Sequence, residues 1–254
     1  METQDEVERL QATYLTYRET NRGQTLWSQA NQGNQIILRE RTDQLQQILE
    51  KADLFPLTNA CILEVGCCSG EVLASLTQWG ALPDNLYGID LLPDRIEKAK
   101  QKFPDIHFAV GNAEQSDFTD SCFDLVLLFT VFTSILDKQM ACNVATEVKR
   151  IVKPGGAVVW YDFRYNNPMN PHVRGIRKKD IQNLFVGLGI QLKTITLMPP
   201  LARRLGKHTA TLYPLLSKIP FLRTHFIGLI FKPIRQPDLA NYTEARVWKP
   251  RRIR

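Results

Sequence analysis

ILEVGCCSGEVL, residues 62–73, combines an apolar run, a carboxylate at Glu64, a turn holding Gly66 and Gly70, and the start of a helical pattern. Glycine lets a backbone turn sharply and lets a ligand approach it closely. The helix that follows begins with N–H groups that lack an intrahelical partner. A strand, turn and helix in this order belong at the carboxyl edge of a parallel sheet, where nucleotide-like ligands are held.

Working outward, further apolar runs predict strands over 85–92, 105–111, 123–132, 157–163, 190–198 and 225–232, with the first over 60–65. Helical spacing falls between them, over 70–80, 93–103, 138–152 and 176–188, and up to Pro214 within 201–219. KPGG at 153–156 is a stop signal. Strands separated by crossovers long enough for a helix argue for a parallel sheet covered on both faces. Asp90 ends the second strand in YGID, where a carboxylate can accept from two ribose hydroxyls. The alternative is a cap for the helix that starts at Pro93, and the glycine turn upstream favours the ribose. GNAEQSDF (111–118) follows the third strand, and Asn112 and Glu114 can set an amide or a carboxylate beside an adenine amino group, or belong to a polar loop with no such role.

The chain has 254 residues, 44% of them hydrophobic, which is enough for one domain with its own core. No apolar run reaches the ~18 residues of a membrane-spanning helix. The start, METQDEVERLQATY, is acidic and unlike a signal peptide, so a cytoplasmic location is expected. Five cysteines with no CxxC pair disfavour a disulfide framework and a structural zinc site. The net charge of +6 is unevenly divided. Residues 1–169 carry 15 Lys/Arg against 23 Asp/Glu, and residues 170–254 carry 17 against 3. The basic residues are spread out rather than gathered with exposed aromatics, which disfavours nucleic acid. Arg174, Arg177, Lys178 and Lys179 favour an acceptor or partner surface with negative charge, and peripheral membrane contact is compatible with this pattern.

LEVGCCSG, GIDLLPDRIEKAK, VGNAEQSDF, FDLVLLFTVF and EVKRIVKPGGAVVWYDF follow one another in the order and spacing of class I S-adenosylmethionine-dependent methyltransferases. The resemblance covers about 60–163. It implies a Rossmann-like, three-layer α/β/α fold: a seven-stranded, mostly parallel sheet with an antiparallel last strand, over 56–235. Residues 1–55 would form an N-terminal helical lid and 236–254 a basic tail. It implies S-adenosyl-L-methionine as cofactor, with Glu64, Gly66, Cys67, Cys68 and Gly70 facing its methionine part and Asp90 its ribose. Leu91, Asn112, Ala113 and Glu114 would frame the adenine, and Phe129 and Thr130 would border the sulfonium. The chain departs from the family at Cys68, which stands where the middle glycine is usual, and at Asn112, where Asp is common. A side chain at 68 narrows the approach, and binding is expected to survive it.

The fourth strand ends LLFTVFTS, without the carboxylate that magnesium-dependent relatives use, so no metal is expected. The Asn/Asp-Pro-Pro-aromatic box of base-methylating relatives is missing there too. WYDFRYNNPMNPHVRGIRKKD (160–180) leaves the fifth strand toward the site. His172 and Asp162 are its candidate bases, against the alternative that Asp162 pairs with Arg164 or Arg174 to hold the loop and His172 is simply exposed. Tyr161, Arg164, Tyr165, Asn166, Asn167 and Arg174, with Thr133 and the lid aromatics Tyr17 and Trp27, are its candidate substrate contacts. Tyr14 is a further lid candidate; the alternative is that these aromatics pack on the sheet edge, and for Trp27 the two readings weigh the same. The expected reaction is methyl transfer to an oxygen or nitrogen of a small molecule, of the secondary-metabolite kind. The alternatives are a glycan or lipid-linked acceptor, or a cofactor-binding scaffold that has lost catalysis.

Overall fold

A computed structural model describes residues 3–20 and 26–234. The basic tail at 236–254 therefore lies outside the described residues. Seven strands form one sheet: β1 (Ile62–Val65), β2 (Leu86–Asp90), β3 (His107–Val110), β4 (Phe123–Phe129), β5 (Val152–Phe163), β6 (Gly189–Leu197) and β7 (Arg223–Phe231). Their spatial order is β3-β2-β1-β4-β5-β7-β6. β1 to β5 pair in parallel, and β7 runs antiparallel to both β5 and β6. The helices are α1 (Thr3–Glu19), α2 (Gln32–Lys51), α3 (Glu71–Ser75), α4 (Pro93–Lys102), α5 (Lys138–Ile151), α6 (Lys178–Leu184), α7 (Pro199–Arg204) and α8 (Thr209–Leu216).

The alternation of side chains along a strand divides the core in two. Leu125 and Leu127 of β4 pack on one side with Leu45, Ile48 and Leu49 of α2 and Leu73 of α3. Val126 and Leu128 pack on the other with Leu10 of α1, Val144 and Val148 of α5 and Ile181 of α6. Both faces of the parallel strands are thus covered, which is why those strands are apolar throughout. α2 also packs on α7 and α8, with Ile37, Leu197, Ala202 and Tyr213 in a third, smaller core.

Several expected boundaries shift for local reasons. The strand expected over 123–132 stops at Phe129 because Thr130 turns into the left-handed region, at φ 57°. The KPGG stop does end α5, but β5 has already begun there. Phe123 pairs with Val152 and Leu125 with Ala157, so residues 153–156 bulge out of the ladder. Gly155, at φ 81°, permits that bulge. The helix expected over 70–80 is α-helical only to Ser75 and closes as a 3-10 turn against Gly80. Pro214 lies inside α8 rather than at its end.

Candidate functional site

The carboxyl ends of β1, β2 and β4 open into one pocket. Gly66, Cys68, Asp90, Leu91, Asn112, Ala113, Phe129 and Thr130 all stand on its wall. α1 contributes Leu10, Gln11 and Tyr14 to the same wall, and α4 contributes Arg95. Gly66, at φ 70°, makes the turn out of β1, and its N–H and that of Cys67 bond the Ile89 carbonyl. Cys68 also lies in the left-handed region, at φ 50°. A side chain there costs about 1–2 kcal/mol relative to a right-handed conformation. Cys68 and Thr130 are thus two strained, non-glycine residues on one pocket wall, a common signature of functional sites.

Asp90 is the electrostatic centre of the pocket. It is buried; its Oδ2 accepts from Cys68 N at 3.0 Å and Arg95 Nη1 at 3.4 Å, and its Oδ1 accepts from Leu92 N at 3.0 Å. The carboxylate therefore ties the first turn to α4. The Arg95 guanidinium also lies 4.3 Å from the centre of the Tyr14 ring. Tyr14 Oη in turn lies 2.9 Å from Ser134 Oγ. Arg95 was not anticipated. Its position in the first turn of the helix after Asp90 was the available signal.

Four residues expected to touch the cofactor are off the wall. Cys67 points into the core beneath the turn, where a Cβ on Gly88 would come within 2.8 Å of its Sγ. Gly70 serves packing, because a Cβ there would meet Phe108 Cζ at 2.5 Å. Glu114 is bonded to Asn112 and Asn143, and with them shapes the loop after β3. Glu64 is buried below the turn. The Leu73 N–H bonds its carboxylate, but Oε2 has no partner.

None of the expected catalytic or substrate residues lines this pocket, and most of the 160–176 segment is committed to building itself. Asp162 is buried, and accepts from the N–H of Thr133 at 3.0 Å and of Phe163 at 2.8 Å. It is a backbone clamp on the turn after β4, not a base facing the pocket. Thr133 is buried under that clamp, with its hydroxyl on the Arg174 carbonyl. Arg174 donates from Nε to the Ile135 carbonyl at 2.9 Å. Asn166 and Asn167 accept from Gly175 N and Met169 N, closing the loop's turns. Arg164 stacks on Tyr165 and Phe226 at the surface. Tyr161 is buried on the opposite face of the sheet, stacked on His225 at 4.7 Å and bonded to Thr196. Trp27 lies against Arg203 of α7, 4.9 Å from its guanidinium, on the sheet flank rather than over the pocket. His172 and Tyr17 meet each other outside the wall: Tyr17 Oη donates to Asn170 at 2.9 Å, and His172 Nδ1 lies 3.5 Å from Thr13 Oγ1.

These contacts attach the loop to α1, and a buried carboxylate attaches α1 to the connection between β4 and α5. Glu6 accepts from Arg9 and from the N–H groups of Leu136 and Asp137, the nearest at 2.6 Å. Those partners hold its pKa below the usual carboxylate range against the opposing effect of burial. Removing this anchor in Glu6→Ala should loosen Leu10, Gln11 and Tyr14 together. Affinity for the pocket's ligand should fall about tenfold with Asp90 intact, as titration calorimetry would read.

In two other carboxyls burial prevails. It raises Glu64 to about 8, partly offset by the nearby Arg41, and Asp162 to about 7 despite its backbone hydrogen bonds. Both hold a proton more tightly folded than unfolded. The folded chain therefore binds more protons between the unfolded value and the raised one, and stability falls as pH rises through that window. His225, lowered by burial to about 3, acts only below its unfolded value of 6.5. Between pH 6.5 and 9 the melting temperature of the free protein should decline, and Glu64→Gln should flatten that decline.

Comparison with known proteins finds similarity in sequence and in fold. Residues 63–160 match the family described as Methyltransferase domain. A sterol 4-C-methyltransferase of Caenorhabditis elegans is 29% identical over 128 residues, covering 47% of this chain and 35% of that protein. A demethylmenaquinone methyltransferase of Lactiplantibacillus plantarum is 29% identical over 114 residues, covering 42% of this chain and 47% of that protein. The chain thus matches less than half the length of these relatives. The crystal structure of a SAM-dependent methyltransferase from Methanosarcina mazei superposes with a TM-score of 0.52 at 19% identity, over 70% of this chain and 94% of that one. The matched segment is similar to a methyltransferase domain, and the fold is that of the SAM-dependent methyltransferase structure. The similarity to that family lies in the segment from β1 to β5.

Proposed function

We propose that this chain moves the methyl group of S-adenosylmethionine to an oxygen or nitrogen of a small, largely apolar acceptor, without a metal. One observation carries the reading: a buried carboxylate, Asp90, and a glycine turn at Gly66 share a single wall with the Asn112–Ala113 loop and the end of β4. The cofactor's chemistry suits these residues. Asp90 would take the ribose hydroxyls, with Arg95 giving up part of its hold on the carboxylate. Leu91 and Ala113 would flank the adenine beside Asn112, and Gly66 and Cys68 would border the methionine chain. Glu64 Oε2, buried without a partner just beneath, is an acceptor suited to an ammonium group.

When bound, the cofactor supplies a methyl group on a sulfonium with a good, neutral leaving group. The protein's contribution is then alignment and exclusion of water. Phe129 and Thr130 stand where the acceptor would meet the methyl, and α1 covers the pocket. Among the described residues the wall carries no histidine, and no carboxylate besides Asp90. The acceptor must therefore bring a free lone pair, as an amine or an ionised phenol does. The relatives named for a sterol and a demethylmenaquinone support an apolar acceptor.

The test is formation of S-adenosylhomocysteine with a panel of amphiphilic phenols, quinols and amines. At least one class should turn over, with a rate that follows the acceptor's own ionisation. His172→Ala should change the rate less than about threefold, whereas removing a true general base costs about a hundredfold or more. A hundredfold loss in His172→Ala would overturn the base-free reading. Cofactor binding without turnover of any acceptor would favour a catalytically silent scaffold, the reading that Cys68 at the usual glycine position suggests.

A further inference from the structure

Residues 181–237 contain no aspartate or glutamate and eight lysines and arginines. Within this stretch, 198–222 leaves the sheet and turns large apolar side chains outward. Leu212 and Leu215 are 38% and 55% exposed, and Phe221 is 69% exposed on the turn after α8. The two leucines are three residues apart and so share one face of α8. Thr209 and Tyr213 are buried on the inner side. Arg204, Lys207 and Lys218 are exposed in the same segment and form no ion pair among the described residues. β6, which leads into the segment, pairs antiparallel with β7, as β5 does. It therefore runs parallel to β1–β5, and its carboxyl end lies at the same sheet edge as the pocket.

We propose that 198–222 is a docking face for a membrane surface bearing anionic lipids. Leu212, Leu215 and Phe221 would enter the boundary between headgroups and acyl chains, and Arg204, Lys207 and Lys218 would meet lipid phosphate. Such a combination of apolar and basic side chains is what interfacial binding requires. Charge decides the occupant. A second copy of this face would oppose cation to cation, and a nucleic acid offers nothing apolar to two leucines. No helix among the described residues is long and apolar enough to cross a membrane, so the contact is peripheral. The proposal deepens the apolar-acceptor reading and rests on it for its purpose: the bilayer would deliver the acceptor to the edge where the pocket opens.

The experiment is flotation of the full chain with vesicles of phosphatidylcholine alone, or of phosphatidylcholine and phosphatidylglycerol in equal parts. The variants are Leu215→Ser with Phe221→Ser, and Lys207→Glu with Lys218→Glu. The wild type should float with the anionic vesicles only, and less so at high salt. Each double variant should lower the bound fraction about tenfold or more. Melting temperature and S-adenosylmethionine affinity should be unchanged, which separates failure of this contact from failure of the pocket. Equal binding to both vesicle types, no binding to either, or undiminished binding by both variants would overturn the proposal. So would a wild-type dimer in sedimentation velocity that either variant dissolves.

Discussion

Asp90→Ala should weaken S-adenosylmethionine binding about a hundredfold. Two ribose hydroxyls on one carboxylate are charge-assisted hydrogen bonds, each contributing about 1.5–3 kcal/mol. Even the low end of that range, taken twice, is two orders of magnitude in affinity. The substitution has a second effect in this pocket. Arg95 lies 3.4 Å from the carboxylate and against the Tyr14 ring, and it would be left as an uncompensated cation beside a cationic ligand. Asp90→Asn keeps an acceptor for Cys68 N or Leu92 N and should fall between the two. Titration calorimetry, with a melting curve to show that each variant is folded, reads the result. An affinity unchanged in Asp90→Ala would place the ribose elsewhere.

The largest effect on stability is expected from Gly228→Ala. Gly228 sits in the middle of β7, between Trp160 of β5 and Leu192 of β6. A Cβ built there would fall 1.9 Å from the Gln191 carbonyl oxygen and 2.9 Å from Leu192 Cα. These are backbone atoms of a paired strand, so they can yield only by breaking the β6–β7 register. The cost should reach about 3 kcal/mol, the upper range for forced overpacking. In a chain of this size that corresponds to about 6–12 °C in melting temperature. A melting temperature within a degree or so of wild type would contradict the register described for the last two strands. The cofactor pocket lies on β1, β2 and β4, so binding measured well below the transition should be retained.

The parts of the fold that rest on local signals were legible in the sequence. The seven strands and the crossover helices follow from apolar runs and their spacing. The turn at Gly66, the carboxylate at Asp90 and the loop at Asn112–Ala113 follow from residue types that a sharp turn and a polar ligand require. Boundaries shifted where a single backbone angle decides, as at Thr130, or where four residues bulge from a ladder, as at 153–156.

The 160–176 segment shows why acceptor residues were less legible. Its Asp, Asn and Arg side chains look available in the sequence, yet a loop on this edge must also satisfy its own backbone. Asp162, Asn166, Asn167 and Arg174 are committed to N–H or carbonyl groups, and only the fold reveals which partners they take. Trp27 packs on the sheet flank and Tyr161 on the face away from the pocket, and neither position is legible beforehand because a lone aromatic carries no sign of which side of a sheet it packs against. Leu10 and Tyr14 are different. With Glu6 they recur every fourth residue along α1, and that spacing marks the face that meets the pocket.

The central claim is that this pocket holds S-adenosylmethionine. Calorimetric titration of the wild-type chain with S-adenosylmethionine tests it most directly. A saturable one-to-one binding heat that S-adenosylhomocysteine abolishes by competition is the predicted result. No binding heat up to millimolar ligand, from a protein shown to be folded by its melting curve, would contradict it.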